Sequence, residues 1–164
     1  MKESVKAIPE GYRSITPYLV VKKGAQAIEF YKKAFEAEER FRMNGPDGTS
    51  IGHAELKIGD SVFMLADEFP QMKCLSPESI GGSTVSIYLY VSDVDATFNK
   101  AISEGASVIE PVTDKFYGDR SGLLKDPFGH YWSIATHKKD VSPEEMKKGA
   151  DAVFAEMAKK AKSK

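Results

Sequence analysis

The chain states nearly the same pattern twice, about 70 residues apart, and that duplication constrains its fold more than any other feature. Tyr18-Leu19-Val20-Val21 returns as Tyr88-Leu89-Tyr90-Val91, and Leu56-Lys57 returns as Leu124-Lys125. Phe63-Met64-Leu65-Ala66-Asp67 returns as Trp132-Ser133-Ile134-Ala135-Thr136. Two copies are too few for a solenoid, whose units need neighbours on both sides. The copies must bury their apolar faces against each other in one globular protein, with side chains from both able to converge on one place.

Each copy reads as strand, helix, then three strands. In the first, Ile15 to Val21 carries β-branched and aromatic residues. Ala27, Ile28, Tyr31, Ala34 and Phe35 follow at helical spacing. Strands are predicted at 40–43, 51–58 and 61–66, separated by the turn residues Asn44-Gly45-Pro46-Asp47-Gly48 and Gly59-Asp60. In the second copy, strands at 85–91, 107–110, 121–125 and 130–136 flank a helix that Asp93 caps and Gly105 stops. The expected fold is α+β: two tandem βαβββ modules whose curved mixed sheets enclose a concave cup, with helices on the convex side. The expected division is 14–68 for the first module, 69–83 for a linker, 84–138 for the second module and 139–164 for a helical tail. Pro70, Pro77, Gly81 and Gly82 disfavour regular structure in the linker, and a stretch of this length is often functional. In the tail, Ser142 caps, Pro143 opens the helix, and Met146, Ala150, Val153, Phe154 and Met157 form an apolar face that must dock.

A formal net charge of -1 argues against a nucleic-acid partner, which needs clustered surplus cations. No apolar run has the length of a membrane helix, and the first residues lack a secretory signal, so no membrane partner is expected. The single cysteine, Cys74, excludes an internal disulfide framework and suits a reducing compartment, which reads as cytoplasmic. Cys74 has no basic cluster to activate it as a nucleophile.

Strand alternation selects the candidate site residues. Ala54, Leu56 and Ile58 must pack on helices, so His53 and Glu55 point together into the cup. A carboxylate beside a histidine can tune it across neutral pH, which makes the pair a candidate acid/base couple; a merely wet strand face is the alternative. Tyr18, Tyr88 and Tyr90 share the inward side with Thr16, Ser86 and Ser133. A wall of tyrosines and small hydroxyls suits an aromatic or amphipathic small molecule, although the tyrosines could simply fill space between the halves. Tyr117, Asp119 and Arg120 lie near the predicted mouth, where Arg120 could clamp a carboxylate or phosphate, or merely pair at the surface. His130 follows a tight turn and His137 ends a strand, and both read chiefly as structural; Trp132 reads as core.

Two βαβββ units in a chain of this length resemble the vicinal oxygen chelate superfamily of glyoxalase I, bleomycin-resistance proteins and extradiol dioxygenases. Ala27-Ile28-Glu29-Phe30-Tyr31-Lys32-Lys33-Ala34-Phe35 looks like that family's first helix. Asp126-Pro127-Phe128-Gly129-His130 looks like its turn before the last strand. His53-Ala54-Glu55-Leu56, Tyr117-Gly118-Asp119-Arg120 and Trp132-Ser133-Ile134-Ala135-Thr136-His137 are similar to the PhnB-like subgroup. In metal-using members the ligands come from the first and last strand of each unit. Those positions fall here on Thr16 (or Pro17), Met64, Ser86 and Ser133, none a good ligand for a divalent transition metal. The resemblance therefore implies no metal and no other cofactor, with a divalent ion disfavoured rather than barred. It implies a homodimer that binds or sequesters a small organic molecule through Tyr18, Met64, Ser86, Tyr88, Tyr90, Tyr117, Asp119, Arg120 and Ser133. The alternative is a lyase or isomerase resembling glyoxalase I, acting through a metal site of other residues or through His53 and Glu55; a partner-binding module is the third reading.

Overall fold

The structure, a computed structural model, describes residues 5–162. The chain runs β1 (Tyr18–Val21), α1 (Gly24–Phe35), β2 (Glu38–Asn44), β3 (Ile51–Ile58) and β4 (Ser61–Asp67). A connecting segment carries the short helix α2 (Pro77–Ile80). The order then repeats as β5 (Ser86–Tyr90), α3 (Val94–Ser103), β6 (Ser107–Asp114), β7 (Asp119–Lys125) and β8 (Tyr131–His137), followed by α4 (Pro143–Lys162). Two mixed four-stranded sheets result, ordered β1-β4-β3-β2 and β5-β8-β7-β6, with β1 parallel to β4 and β5 parallel to β8. The duplicated βαβββ fold read from the sequence is the observed one.

Both helices start from a side chain at the end of their own module's last strand. Asp67 accepts from Gly24 N and Ile51 N, each at 2.7 Å. Thr136, its counterpart, accepts from Val94 N and donates to Val91 O, each at 2.9 Å. Both satisfy backbone N–H groups that the first helical turn leaves without a partner. Gly24 is required by this closeness, because a Cβ there would lie 2.8 Å from Ile51 Cγ1.

The two modules share one core. Tyr31 on α1 is fully buried among Phe30, Phe35, Phe63, Phe128 and Trp132, and Phe35 lies 4.7 Å from Trp132 between ring centroids. The buried carboxylate of Asp126 crosses the joint. It accepts from the Tyr31 hydroxyl (2.7 Å), Trp132 Nε1, Phe128 N and His130 N (2.9 Å each). Burial, and then the Asp126 charge, push the Tyr31 phenol well above its usual pKa. His130 adds a second cross-module contact, its Nε2 lying 3.0 Å from Val20 O.

Some elements depart from the sequence reading. β6 continues through Pro111 to Asp114. It is an edge strand, and the missing proline N–H falls where the register shifts between Glu110 and Thr113. The connecting segment is more ordered than its prolines and glycines suggest. Pro70–Met72 forms a 3₁₀ turn, Phe69 pairs with Cys74, and the Glu68 carboxylate accepts from Ser76 N, Ser76 Oγ and Ser79 Oγ at 2.7–3.0 Å. Those bonds hold Glu68 at a pKa of about 2. The tail opens with the expected cap, Ser142 Oγ accepting from Glu145 N and the Glu145 carboxylate accepting from Ser142 N. Its apolar face docks only in part, because Gly149 lies on Phe116 while Phe154 and Met157 stay exposed.

Candidate functional site

Strand register builds two open faces, one on each sheet, on the sides turned away from α1 and α3. On the first sheet Tyr18 pairs with Met64, Met64 with Glu55, and Glu55 with Phe41, so these four form one row. The next row carries Val20, Ala66, His53 and Met43. The alternate residues Leu19, Val21, Ala54, Leu56, Phe63 and Leu65 are buried. Tyr18 and His53 meet, with the phenol oxygen 3.0 Å from Nδ1, and His53 Nε2 lies 3.6 Å from Glu55 Oε1. Burial, and secondly the neighbouring Cys74, raise the Tyr18 pKa. The hydroxyl therefore stays protonated at neutral pH, and across the two rows Tyr18, His53 and Glu55 form a phenol–imidazole–carboxylate chain.

Beside that chain lies a cavity of about 760 Å³. Tyr18, Val20, Met43 and Ala66 line it from the sheet, Asn44 to Pro46 from the β2–β3 turn, and Phe69, Met72 and Cys74 from the connecting segment. All of its lining comes from the first module and that segment. Sequence reading selected Tyr18 but missed Met43, Phe69, Met72 and Cys74. For Met43 a signal existed in the alternation of Phe41 and Met43 with Arg40 and Arg42 on β2. For the connecting segment the signal was its length alone; which of its residues turn inward depends on the Glu68 carboxylate holding Ser76 and Ser79.

The second face is polar. Ser86 and Ser133 face each other with their hydroxyl oxygens 3.0 Å apart. Tyr90 and Tyr88 donate to Asp119 Oδ2 at 2.8 and 3.2 Å, and His137 Nδ1 lies 2.7 Å from Oδ1. His137 Nε2 lies 3.1 Å from Asp140. Tyr117 approaches Ser121 at 3.5 Å. Burial works to raise the Asp119 carboxyl, but the bonds from His137, Tyr90 and Tyr88 outweigh it and hold the pKa below the usual range. The hydrogen bond to Asp119, then that to Asp140, raises His137. Of the candidates, Ser86, Tyr88, Tyr90, Tyr117, Asp119 and Ser133 thus share this face. His137 joins them through a contact that spacing alone did not reveal.

Arg120 is placed elsewhere. It pairs with Thr136, whose hydroxyl serves α3, and so lies on the helix side of β7. Its guanidinium donates to both Asp95 oxygens at 2.8 Å and to Asp114 at 3.3 Å. The fork expected to clamp a ligand is filled by two carboxylates on the opposite side from Asp119.

This frame has known relatives. The Glyoxalase/Bleomycin resistance protein/Dioxygenase superfamily profile matches residues 14–134. The chain belongs to that superfamily. An uncharacterized protein of Mycobacterium bovis is 46% identical over 136 residues, covering 81% of this chain and 89% of its own. Among solved structures, an Arabidopsis thaliana gene product is 28% identical with a TM-score of 0.61, covering 76% of this chain and 98% of its own. TioX from Micromonospora is 26% identical with a TM-score of 0.60 over the same shares. The PhnB protein of Bacillus cereus, at 19% identity and a TM-score of 0.58 over 76% of this chain and 99% of its own length, shares the fold. In this superfamily frame, the positions implied for a metal carry Thr16, Met64, Ser86 and Ser133. Two of these hydroxyls face each other, Thr16 donates to Arg13 O at 3.3 Å, and the fourth group is a thioether. That donor set does not fit a divalent transition metal, which takes imidazole, carboxylate or thiolate.

Proposed function

We propose that this superfamily member binds a small organic molecule without a metal and holds it rather than transforming it. The observation that carries the reading is the largely apolar cavity of about 760 Å³ against Tyr18, in a frame whose ligand positions offer no metal-binding set. Its size suits a drug-sized ligand. A homodimer fits the same reading: Tyr18, Met43, Tyr88 and Tyr90 are exposed on the open faces of one chain, and a second chain would cover them. A reducing, cytoplasmic setting agrees with the lone, unpaired Cys74. No helix among the described residues is long and apolar enough to cross a membrane.

The test is a small-molecule panel read by melting temperature, with the bound compound recovered afterwards. Binding shows as a saturable rise in melting temperature. Recovery of the compound unchanged supports sequestration; recovery of a product, or stoichiometric Zn, Ni, Fe or Mn in protein purified without chelator, overturns it. The Tyr18–His53–Glu55 chain favours one second reading, a lyase or isomerase using His53 and Glu55 as an acid/base pair. Replacing both by Ala would abolish such an activity and only weaken sequestration.

A further inference from the structure

The cavity on the first sheet has a floor, a roof and a charge. Its floor is Val20 and Ala66, small side chains between Tyr18 and Met43. Its roof is the loop closed by Phe69 and Cys74, which exchange backbone hydrogen bonds of 2.8 and 3.2 Å. The roof is anchored at its base by Glu68, whose carboxylate holds Ser76 and Ser79. It is therefore formed before any ligand arrives, which lowers the cost of binding. Phe69, Met72 and Met43 present an aromatic ring and two thioethers, groups that favour aromatic surfaces.

No lysine or arginine lines the cavity, and its one charged residue is Asp67. Both Asp67 oxygens are taken by the backbone N–H groups of Gly24 and Ile51, so the carboxylate is fixed at the start of α1 and is not free to pair with a ligand. Glu55 adds a second negative charge just beyond His53. Lys73 lies in the roof loop between Met72 and Cys74 without joining the lining, and Arg40 lies over the Tyr12 ring at 5.5 Å, also outside it. A ligand carboxylate or phosphate would lose water here without gaining a cation, a cost that an uncharged or cationic molecule escapes.

We infer that this cavity is a site for an aromatic molecule that carries no negative charge, gripped between the sheet and the Phe69–Cys74 roof. This deepens the small-molecule reading above and rests on it. Tyr18 supplies the polar contact, since its hydroxyl can shift from His53 to a neutral ligand acceptor. Anionic substrates, including carboxylated conjugates, are disfavoured because the lining holds no cation to replace their water.

Acridine, 9-aminoacridine and acridine-9-carboxylate test this as a three-ring series of neutral, cationic and anionic charge at about pH 7.5. The readout is the rate at which iodoacetamide alkylates Cys74, the only cysteine in the chain and a lining residue. Acridine and 9-aminoacridine should slow alkylation saturably, and the carboxylate should need about tenfold more compound or more for equal protection. Met72→Asp, at an exposed position that the fold does not need, should weaken protection by acridine by about tenfold while leaving the melting temperature unchanged. Equal or better protection by the carboxylate overturns the inference, as does failure of all three to protect Cys74. If all three fail but other compounds in the wider panel still raise the melting temperature, only the inference falls and the small-molecule reading stands.

Discussion

Replacing Asp126 tests whether one carboxylate joins the two modules. The side chain is buried and accepts four hydrogen bonds, two from side chains that are themselves fully buried, Tyr31 and Trp132. In Asp126→Ala the tyrosine hydroxyl and indole N–H are orphaned, at about 1–3 kcal/mol each, before the two turn amides are counted. The expected loss is about 4 kcal/mol, a large share of the roughly 5–15 kcal/mol that holds a domain together. For a chain of this size it lowers the melting temperature by about 8–16 °C. Asp126→Asn should cost about 2 kcal/mol, because the Tyr31 hydroxyl can turn to accept from the new amide and Trp132 cannot. Trp132 is the only tryptophan, so urea unfolding followed by its fluorescence reports directly on the joint. Tyr31→Phe should cost about 1 kcal/mol in the parent and recover stability beside Asp126→Ala, where it removes the orphaned hydroxyl. A loss below about 1 kcal/mol for Asp126→Ala, or an equal cost of Tyr31→Phe in both backgrounds, refutes the account.

Three further outcomes are expected. His137 gains its raised pKa from Asp119 and Asp140, so its contribution is full below the ordinary value of 6.5 and fades as pH rises through the higher folded value. The melting-temperature gap between the parent and His137→Gln should therefore narrow from about pH 6 to pH 9, and a gap that widens refutes the assignment. Glu68 has the opposite sign: its contribution is present above its usual 4.5 and is lost as pH falls toward about 2. Proteolysis within 69–83 should accelerate over that window in the parent, whereas Glu68→Gln should be cut quickly already at neutral pH; equal rates for both proteins would remove the clamp. Gly118 sits at φ +96°, and a Cβ there would lie 2.0 Å from Lys139 O. Gly118→Ala should cost about 1–3 kcal/mol and speed amide exchange in α4, and unchanged exchange would detach the tail from this anchor.

The fold was legible because its determinants are local and periodic. Alternation in 51–58 and 61–66, the stripe through Tyr31 and Phe35, and the cap at Asp93 each act within a few residues. Alternation put Tyr88 and Tyr90 on the inward face but left Asp119 in a loop; their pairing follows because β7 begins at Asp119. What sequence reading missed depends on side-chain contacts that no periodicity announces. The roof over the cavity exists because Glu68 reaches Ser76 and Ser79, residues that look like ordinary loop filler. Arg120 read as a ligand clamp or a surface partner of Asp119, yet neighbours on a strand point to opposite sides, and Arg120 meets Asp95 on α3 instead. The turn Asp126-Pro127-Phe128-Gly129-His130 drew notice as a family string. Its physical content is a carboxylate that accepts from Tyr31, 95 residues away in sequence.

The two modules also differ in a way that packing explains. Positions facing the helices changed little between copies: Leu19 answers Leu89, Leu56 answers Leu124, and Leu65 answers Ile134. A core at crystal-like density tolerates only near-equal volumes. The open faces carry no such constraint, and they diverged. Tyr18 and Tyr88 hold equivalent places, yet one meets the imidazole of His53 and the other the carboxylate of Asp119. Met64 became Ser133 at the same register. One face is therefore apolar and roofed beside its Tyr18–His53–Glu55 chain, while the other holds a buried carboxylate under three donors where β7 begins. A ligand recognised identically by both would have to suit opposite environments. The duplication supplies two frames of one shape, and the divergence of their open faces gives them different chemistry.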